Sequence, residues 1–259
     1  MKTVVLAGGR GTRLGVQPLN LPKPLVPVAG KPVLRHVMDI YARQGFKDFI
    51  VALGYGGLDI KRHFVETMRL EKHLVLDFAN RSITSEKGPI DDWRIELVDT
   101  GLDTATGGRI ARLADRIDKS RFMLTWCDGL ADIDLDALLA FHRKHGKVAT
   151  LTAVNRKARF GYLTLDGDSV SRFEEKPLRE EDWINGAFFV LERKIFDYID
   201  GDNCDWETVV LQRLVDDGQL MAYRHRGFWQ AMDTPADRDA MEQAMRAGLL
   251  EGNNMGDGK

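Results

Sequence analysis

The first thirty-odd residues constrain this chain most. They read MKTVVLAGGRGTRLGVQPLNLPKPLVPVAGKPVL, and no Asp or Glu occurs before Asp39. The whole chain holds 39 acidic residues in 259, so a random stretch as long as the one before Asp39 would carry roughly 6. The residues before Asp39 include bases instead: Lys2, Arg10, Arg13, Lys23, Lys31 and Arg35. Five of the eight prolines also fall here, at 18, 22, 24, 27 and 32. The apolar run Val4-Val5-Leu6 leads into Gly8, Gly9 and Gly11. That pattern is a buried strand feeding a glycine loop whose backbone N–H groups can approach a polyanion. Arg13 and Lys23 supply positive charge beside it, which makes the segment a candidate phosphate site.

Two common phosphate motifs do not fit. A dinucleotide fingerprint begun at Gly9 and Gly11 needs a third glycine where Leu14 stands, and an acid about 20 residues on, where none is near. The phosphate loop of nucleotide hydrolases needs Ser or Thr after Gly-Lys, but Gly30-Lys31 is followed by Pro32.

The rest of the composition is that of an ordinary globular chain, 44 % hydrophobic and 29 % charged. A net charge of -2 gives no global attraction to nucleic acid or to an anionic membrane, so neither is expected as a partner. No apolar run approaches the ~18 residues of a membrane span. Met1-Lys2-Thr3 leads straight into a strand, so no signal peptide is expected. Cys127 and Cys204 form no metal-type pair and suit a reducing cytoplasm.

Along the chain, helical spacing over 33–44 ends at Gly45. Residues 48–53 read as a buried strand, 58–68 as a helix and 74–78 as a short strand, the pattern of a parallel sheet with helices on its faces. Residues 79–93 are polar and irregular. Strands are expected at 94–99, 122–126, 148–154 and 187–191, and helices at 109–117, 134–145, 206–215 and 235–248. Asp134 is a plausible cap, and Thr234-Pro235 opens the last helix. Asp166-Gly167 marks a hairpin turn between short alternating strands. The expected fold is α/β: an open, mostly parallel, Rossmann-like sheet with helices on both faces and a small antiparallel insertion. His142 and His145 share a helix face and read as solvated.

In open α/β sheets ligands collect beyond the carboxyl ends of the strands. The first strand delivers the glycine loop, and the strand ending at Trp126 delivers Asp128 to the same edge. Asp233 lies in FWQAMDT before the last helix, where capping competes for it. Two carboxylates together with substrate phosphates are a usual way of holding Mg²⁺.

AGGRGTRL followed by Pro-Lys-Pro resembles the signature of sugar-1-phosphate nucleotidylyltransferases, which join a sugar 1-phosphate to a nucleoside triphosphate and release pyrophosphate. LVDTGLDTATGGRIARL resembles the branch that uses CTP and glucose 1-phosphate, and the resemblance runs from VVLAGG to FWQAMDT. It implies an Mg²⁺-dependent cytoplasmic enzyme, homo-oligomeric, that makes CDP-glucose for the deoxysugars of surface polysaccharides such as O-antigen lipopolysaccharide.

The resemblance also implies residue roles. Arg13, Lys23 and Asp128 would be catalytic, and Asp128 with Asp233 would bind the metal. Leu6, Ala7, Gly8, Gly9, Arg10, Gly11, Thr12, Arg13, Lys23, Thr104, Gly108, Arg109 and Asp128 would contact the nucleotide. Glu175 and Lys176 (of Glu-Lys-Pro), with Asn185 and Gly186, would take the sugar. Arg109, read as a helix start, would be unfavourable for the helix dipole unless it faced an anion. The implied division of the single domain is a nucleotide-binding core at 1–155, a sugar-binding part at 156–234, a C-terminal helix at 235–250 and a tail at 251–259. The chain departs from the branch at 15–21, at Cys127 and Ala231, and at Ala187, which stands where the family has a second glycine. These departures leave open another sugar 1-phosphate, UTP or dTTP, or a nucleotide-sugar-binding regulator without turnover.

Overall fold

The computed structural model describes residues 1–11, 21–70, 74–85, 92–118, 120–156, 160–175, 177 and 182–250. The first strand, β1 (Lys2–Ala7), is followed by β2 (Pro27–Val28), β3 (Lys31–Pro32), α1 (Val33–Arg43), β4 (Asp48–Leu53) and α2 (Gly57–Leu70). Next come β5 (Leu74–Asp77), β6 (Ser82–Ser85), β7 (Arg94–Asp99), α3 (Thr106–Ala111), β8 (Arg121–Trp126) and β9 (Gly129–Ala131). The chain continues through α4 (Leu135–His145), β10 (Ala149–Asn155), β11 (Tyr162–Asp166), β12 (Ser169–Glu174) and β13 (Trp183–Glu192). It closes with α5 (Leu211–Asp216), β14 (Leu220–His225), β15 (Trp229–Ala231) and α6 (Pro235–Arg246).

The main sheet runs β14-β10-β13-β8-β1-β4-β7. Every neighbouring pair is parallel except the two made by β13. Continuous apolar strands explain this layering, because alternate side chains enter opposite faces and both faces are covered. Val5, Val51, Met123 and Val190 pack with Leu34, Ile60, Leu138 and Met241 of α1, α2, α4 and α6. Val4, Ile50, Leu124 and Phe189 pack with Ile110 of α3, Leu214 of α5 and the buried Trp206. The expected open, mostly parallel sheet with an antiparallel hairpin (β11–β12) is the observed one.

Three expectations are corrected. The strand expected at 74–78 does not join the main sheet. β5 pairs with β6, because Asp77 accepts the Asn80 N–H at 3.0 Å and closes a tight local turn. The third parallel strand on that side is β7.

The helix expected at 109–117 begins earlier and ends sooner, as α3 and then a 3₁₀ turn at Ala114–Arg116. Its start is set by the 202–204 segment, whose carbonyls at Asp202 and Cys204 accept the Ala105 and Gly108 N–H groups at 2.9 and 3.2 Å.

His142 and His145 are not solvated as expected. His142 is buried and His145 half-buried. The Lys147 N–H donates to His145 Nδ1 at 2.9 Å, so the neutral ring carries its proton on Nε2 and donates to Thr150 Oγ1 at 2.6 Å. The Thr150 hydroxyl then donates to His142 Nδ1 at 2.8 Å. His142 Nε2–H donates to Glu192 Oε1 at 3.2 Å, which Arg121 also holds at 2.7 Å. One direction of donation satisfies the whole chain of contacts and ties α4 to β10, β13 and β8.

Burial, partly offset by Glu192, pushes the His142 pKa down to about 4. The folded protein therefore binds this proton less readily than the unfolded chain. The stability contributed by the neutral ring is complete above about pH 6.5 and is lost as pH falls toward 4. Urea unfolding at pH 7, 6 and 5 should give a wild-type slope steeper than that of His142→Phe by up to about 1.4 kcal/mol per pH unit. Equal slopes would show that His142 is not held neutral by the fold.

Candidate active site

Three segments far apart in sequence meet at the carboxyl end of the sheet. Lys23 opens a 3₁₀ turn between Pro22 and Pro24, closed by Leu25 N–H to Pro22 O at 2.8 Å. Proline fixes φ on both sides of the lysine, so this backbone is set locally. Asp128 follows β8. Beyond it β9 pairs antiparallel with β15, Gly129 opposite Ala231, and the Met232 N–H donates to Asp128 O at 2.9 Å. That ribbon brings Asp233 beside Asp128. The ammonium of Lys23 lies 2.5 Å from Asp128 Oδ2 and 3.1 Å from Asp233 Oδ1.

Capping does not claim Asp233. Thr234 caps α6 by accepting the Asp237 N–H, and Asp237 returns a bond to the Thr234 N–H at 2.9 Å. Burial disfavours the charged form of Lys23, whose side chain is only 12 % exposed. Asp128 and Asp233 outweigh that effect and raise its pKa, so the ammonium persists.

These three residues help to line a cavity of about 390 Å³. Gly8, Gly9 and Gly11 of the loop after β1 line it. Gly11 has φ of +63°, and a side chain there would meet Lys23 Cβ at 2.9 Å, so glycine lets loop and lysine lie together. Leu6 also lines the cavity, whereas Ala7 is buried in the core. Thr104, Thr106 and Arg109 form a further part of the wall. Arg10 sits at the surface, its Nη2 3.1 Å from Asp103 Oδ1. Thr12, Arg13 and Lys176 lie outside the described residues.

The structure changes the reasoning about Arg109. It occupies the last turn of the six-residue α3, where a cation is favourable. Its burial is accounted for by oxygen acceptors. Nη1 donates to Gly101 O at 2.6 Å, Thr100 Oγ1 at 2.9 Å and Leu53 O at 3.2 Å, and Nη2 donates to Leu102 O at 3.1 Å. Burial, and then the nearby Arg112, lower its pKa, but a guanidinium stays charged. Arg109 thus holds the 100–102 loop to the end of β4, and a methyl group on Gly8 would lie 2.6 Å from its guanidinium carbon. Gly108 is turned the other way: a Cβ there would strike Asp202 O at 2.3 Å, and it is not part of the cavity wall.

Asn185 and Gly186 belong to β13, are not among the residues lining the cavity, and meet the β9–β15 ribbon at Trp229. Trp229 Nε1–H donates to Gly186 O at 2.8 Å. Asn185 Oδ1 accepts the Ala187 N–H at 2.9 Å. Ala187 holds φ of +62°, so the backbone keeps the conformation that suits the family's glycine while carrying a methyl group, at a cost of about 1 kcal/mol or more. Glu175 follows the exposed β11–β12 hairpin near Gly161 and does not line the cavity.

Sequence reasoning missed Pro24, Thr106, Trp126 and Cys127 in the wall. Trp126 could have been found, because it is the last residue of a strand whose carboxyl end was already implicated. Thr106 could not, because its contacts with Asp205, Trp206 and Glu207 cross a hundred residues of chain.

The family described as nucleotidyl transferase matches residues 2–243. The chain belongs to the nucleotidyl transferase family. Within it, the chain is 42 % identical over 243 residues to the glucose-1-phosphate cytidylyltransferase of Salmonella typhi, covering 93 % of this chain and 95 % of that one. It is 41 % identical over 235 residues to a probable glucose-1-phosphate cytidylyltransferase of Bacillus subtilis (strain 168), covering 90 % and 92 %. HddC from Yersinia pseudotuberculosis shares the fold, with a TM-score of 0.70 at 22 % identity over 94 % of this chain and 99 % of that one.

The wall of this transferase's cavity depends on Arg109, so Arg109→Met should lower the unfolding free energy in urea by about 1–3 kcal/mol, because the part-buried Gly101 and Leu102 carbonyls lose their donor. Arg109→Lys should not restore it, because an ammonium cannot reproduce the planar fork. Wild-type stability in Arg109→Met would mean that the loop is held by other contacts.

Proposed function

We propose that this enzyme transfers the cytidylyl group of CTP to α-D-glucose 1-phosphate, giving CDP-glucose and pyrophosphate. The observation that carries the chemistry is the meeting of Lys23, Asp128 and Asp233 on the wall of the glycine-loop cavity. The choice of substrates is supported by near full-length similarity to the Salmonella typhi and Bacillus subtilis proteins.

The reaction asks for positioning and charge neutralisation. A phosphate oxygen of the sugar 1-phosphate attacks the α-phosphorus in line, and pyrophosphate leaves. The nucleophile is already an anion, so no general base is needed. The triphosphate lies along Gly8, Gly9 and Gly11, whose lack of side chains lets phosphate approach the backbone. Thr104 faces the nucleoside, and Arg109 maintains that wall from beneath Gly8. Lys23 neutralises charge at the α-phosphate, and Arg13 does so at the leaving pyrophosphate. Asn185 and Gly186 receive the sugar beside the β9–β15 ribbon. Glu175 takes sugar hydroxyls, and Lys176 takes the sugar's phosphate.

Asp128 and Asp233 fit a divalent ion, Mg²⁺ in this reading. They are hard oxygen donors already gathered around one cation, the Lys23 ammonium. No cluster of three or more metal-binding side chains occurs among the described residues, which suits an ion that takes its other ligands from water and phosphate. Bound there, it would neutralise charge developing on the reacting phosphates.

Residues 1–155 thus serve the nucleotide and 156–234 the sugar, although both contribute strands to one sheet. No helix among the described residues is long and apolar enough to cross a membrane. We place the protein as a cytoplasmic, homo-oligomeric enzyme acting on small molecules and supplying CDP-glucose for surface polysaccharide such as O-antigen.

Pyrophosphate release should be measured with CTP, UTP, dTTP and GTP against a panel of sugar 1-phosphates. Release with CTP and glucose 1-phosphate above all other pairs is expected. Tight nucleotide binding with no release from any pair would instead indicate a regulator. Asp128→Asn should lower turnover by at least about 10²-fold, the scale of one electrostatic stabiliser, and an unchanged rate would remove Asp128 from the site.

A further inference from the structure

We infer that Lys23 is a resident counter-cation that keeps free divalent metal out of the Asp128–Asp233 pair until a nucleoside triphosphate draws the lysine away. The inference rests on the reading that these two aspartates hold the ion. It adds an order of events: the metal enters with the nucleotide, and the free protein holds it weakly.

The geometry is specific. One ammonium nitrogen contacts an oxygen of each carboxylate, at 2.5 Å and 3.1 Å. It stands where a bridging cation would, and a second cation cannot share those oxygens at contact distance without strong repulsion. The ammonium offsets one of the two negative charges, so the pair attracts a divalent ion less than two bare carboxylates would.

The lysine backbone cannot retreat easily. Proline precedes and follows it, and its Cβ lies where a side chain on Gly11 would collide. Its four-carbon stem can turn, and the glycine loop lies on the same cavity wall. A triphosphate seated along that loop offers the ammonium a new anion within reach. Lysine suits this exchange, being a compact charge on a flexible stem without the fixed fork of arginine. The two aspartates meanwhile stay together, because the β9–β15 ribbon holds them independently of the lysine.

The test is binding of Mn²⁺ to the nucleotide-free protein, followed by the electron paramagnetic resonance of free Mn²⁺. Wild type should bind weakly. Lys23→Met and Lys23→Gln should each bind at least about tenfold more tightly, and Mn²⁺ should raise their melting temperatures more than that of wild type. The gain should vanish in Lys23→Met with Asp128→Asn, and Lys23→Arg should stay as weak as wild type. Equal or weaker Mn²⁺ binding in both neutral variants would overturn the inference. Because no turnover is read, that result is distinguishable from failure of the proposed function, which the pyrophosphate assay on wild type decides separately.

Discussion

A single, largely buried ammonium shared by two carboxylates on the wall of a cavity is the interaction on which the site depends. Charges so placed lose hydration, and they persist only if the surrounding chain holds them in contact. Lys23 and Asp233 are 210 positions apart. Their meeting requires β1 and β8 to be neighbours in the sheet, the β9–β15 ribbon to fold back over that edge, and the proline-flanked turn to stand above it. The two apolar layers keep β1 and β8 in place, and the hydrogen bond from Met232 to Asp128 sets the reach of the second carboxylate. The same edge that gathers these charges is where a parallel sheet leaves room for a ligand.

A second buried charge shapes the rest of the cavity. Arg109 is surrounded by oxygens of the chain itself, so its charge is spent on making a wall. The distinction between the two cations is chemical. Arginine's fixed fork serves as a permanent brace, whereas lysine's single nitrogen can change partners.

Much of this was legible in the residues. Each main-sheet strand buried on both faces is a short apolar run bounded by turn residues, and β1, β4 and β8 were recognisable on that ground. The acid-free, glycine- and proline-rich opening and Asp128, placed after a central strand, were both singled out in the sequence, and the fold brings them to one cavity. Other features depended on contacts that no local pattern carries. Among the described residues β14 is a half-buried edge strand paired with β10, and its run Leu-Met-Ala-Tyr-Arg-His has no alternation of apolar and polar residues to mark it. His142 and His145 looked solvated because their partners, Thr150 and Glu192, lie on strands whose register is a tertiary property. Arg109 was recognised as important for the wrong local reason, since the start of α3 is set by carbonyls of the distant 202–204 segment. Ala187 shows the converse: sequence marked it as a misfit, and the backbone adopts the glycine-like conformation regardless.

The convergence of Lys23, Asp128 and Asp233 is most directly tested by a crystal structure with Mn²⁺ and a non-hydrolysable CTP analogue, using the anomalous signal of manganese. An anomalous peak in contact with oxygens of both Asp128 and Asp233, with the α-phosphate beside it and the Lys23 ammonium turned onto phosphate, is the expected result. A manganese peak touching neither carboxylate, or a triphosphate bound away from Gly8, Gly9 and Gly11, would contradict it.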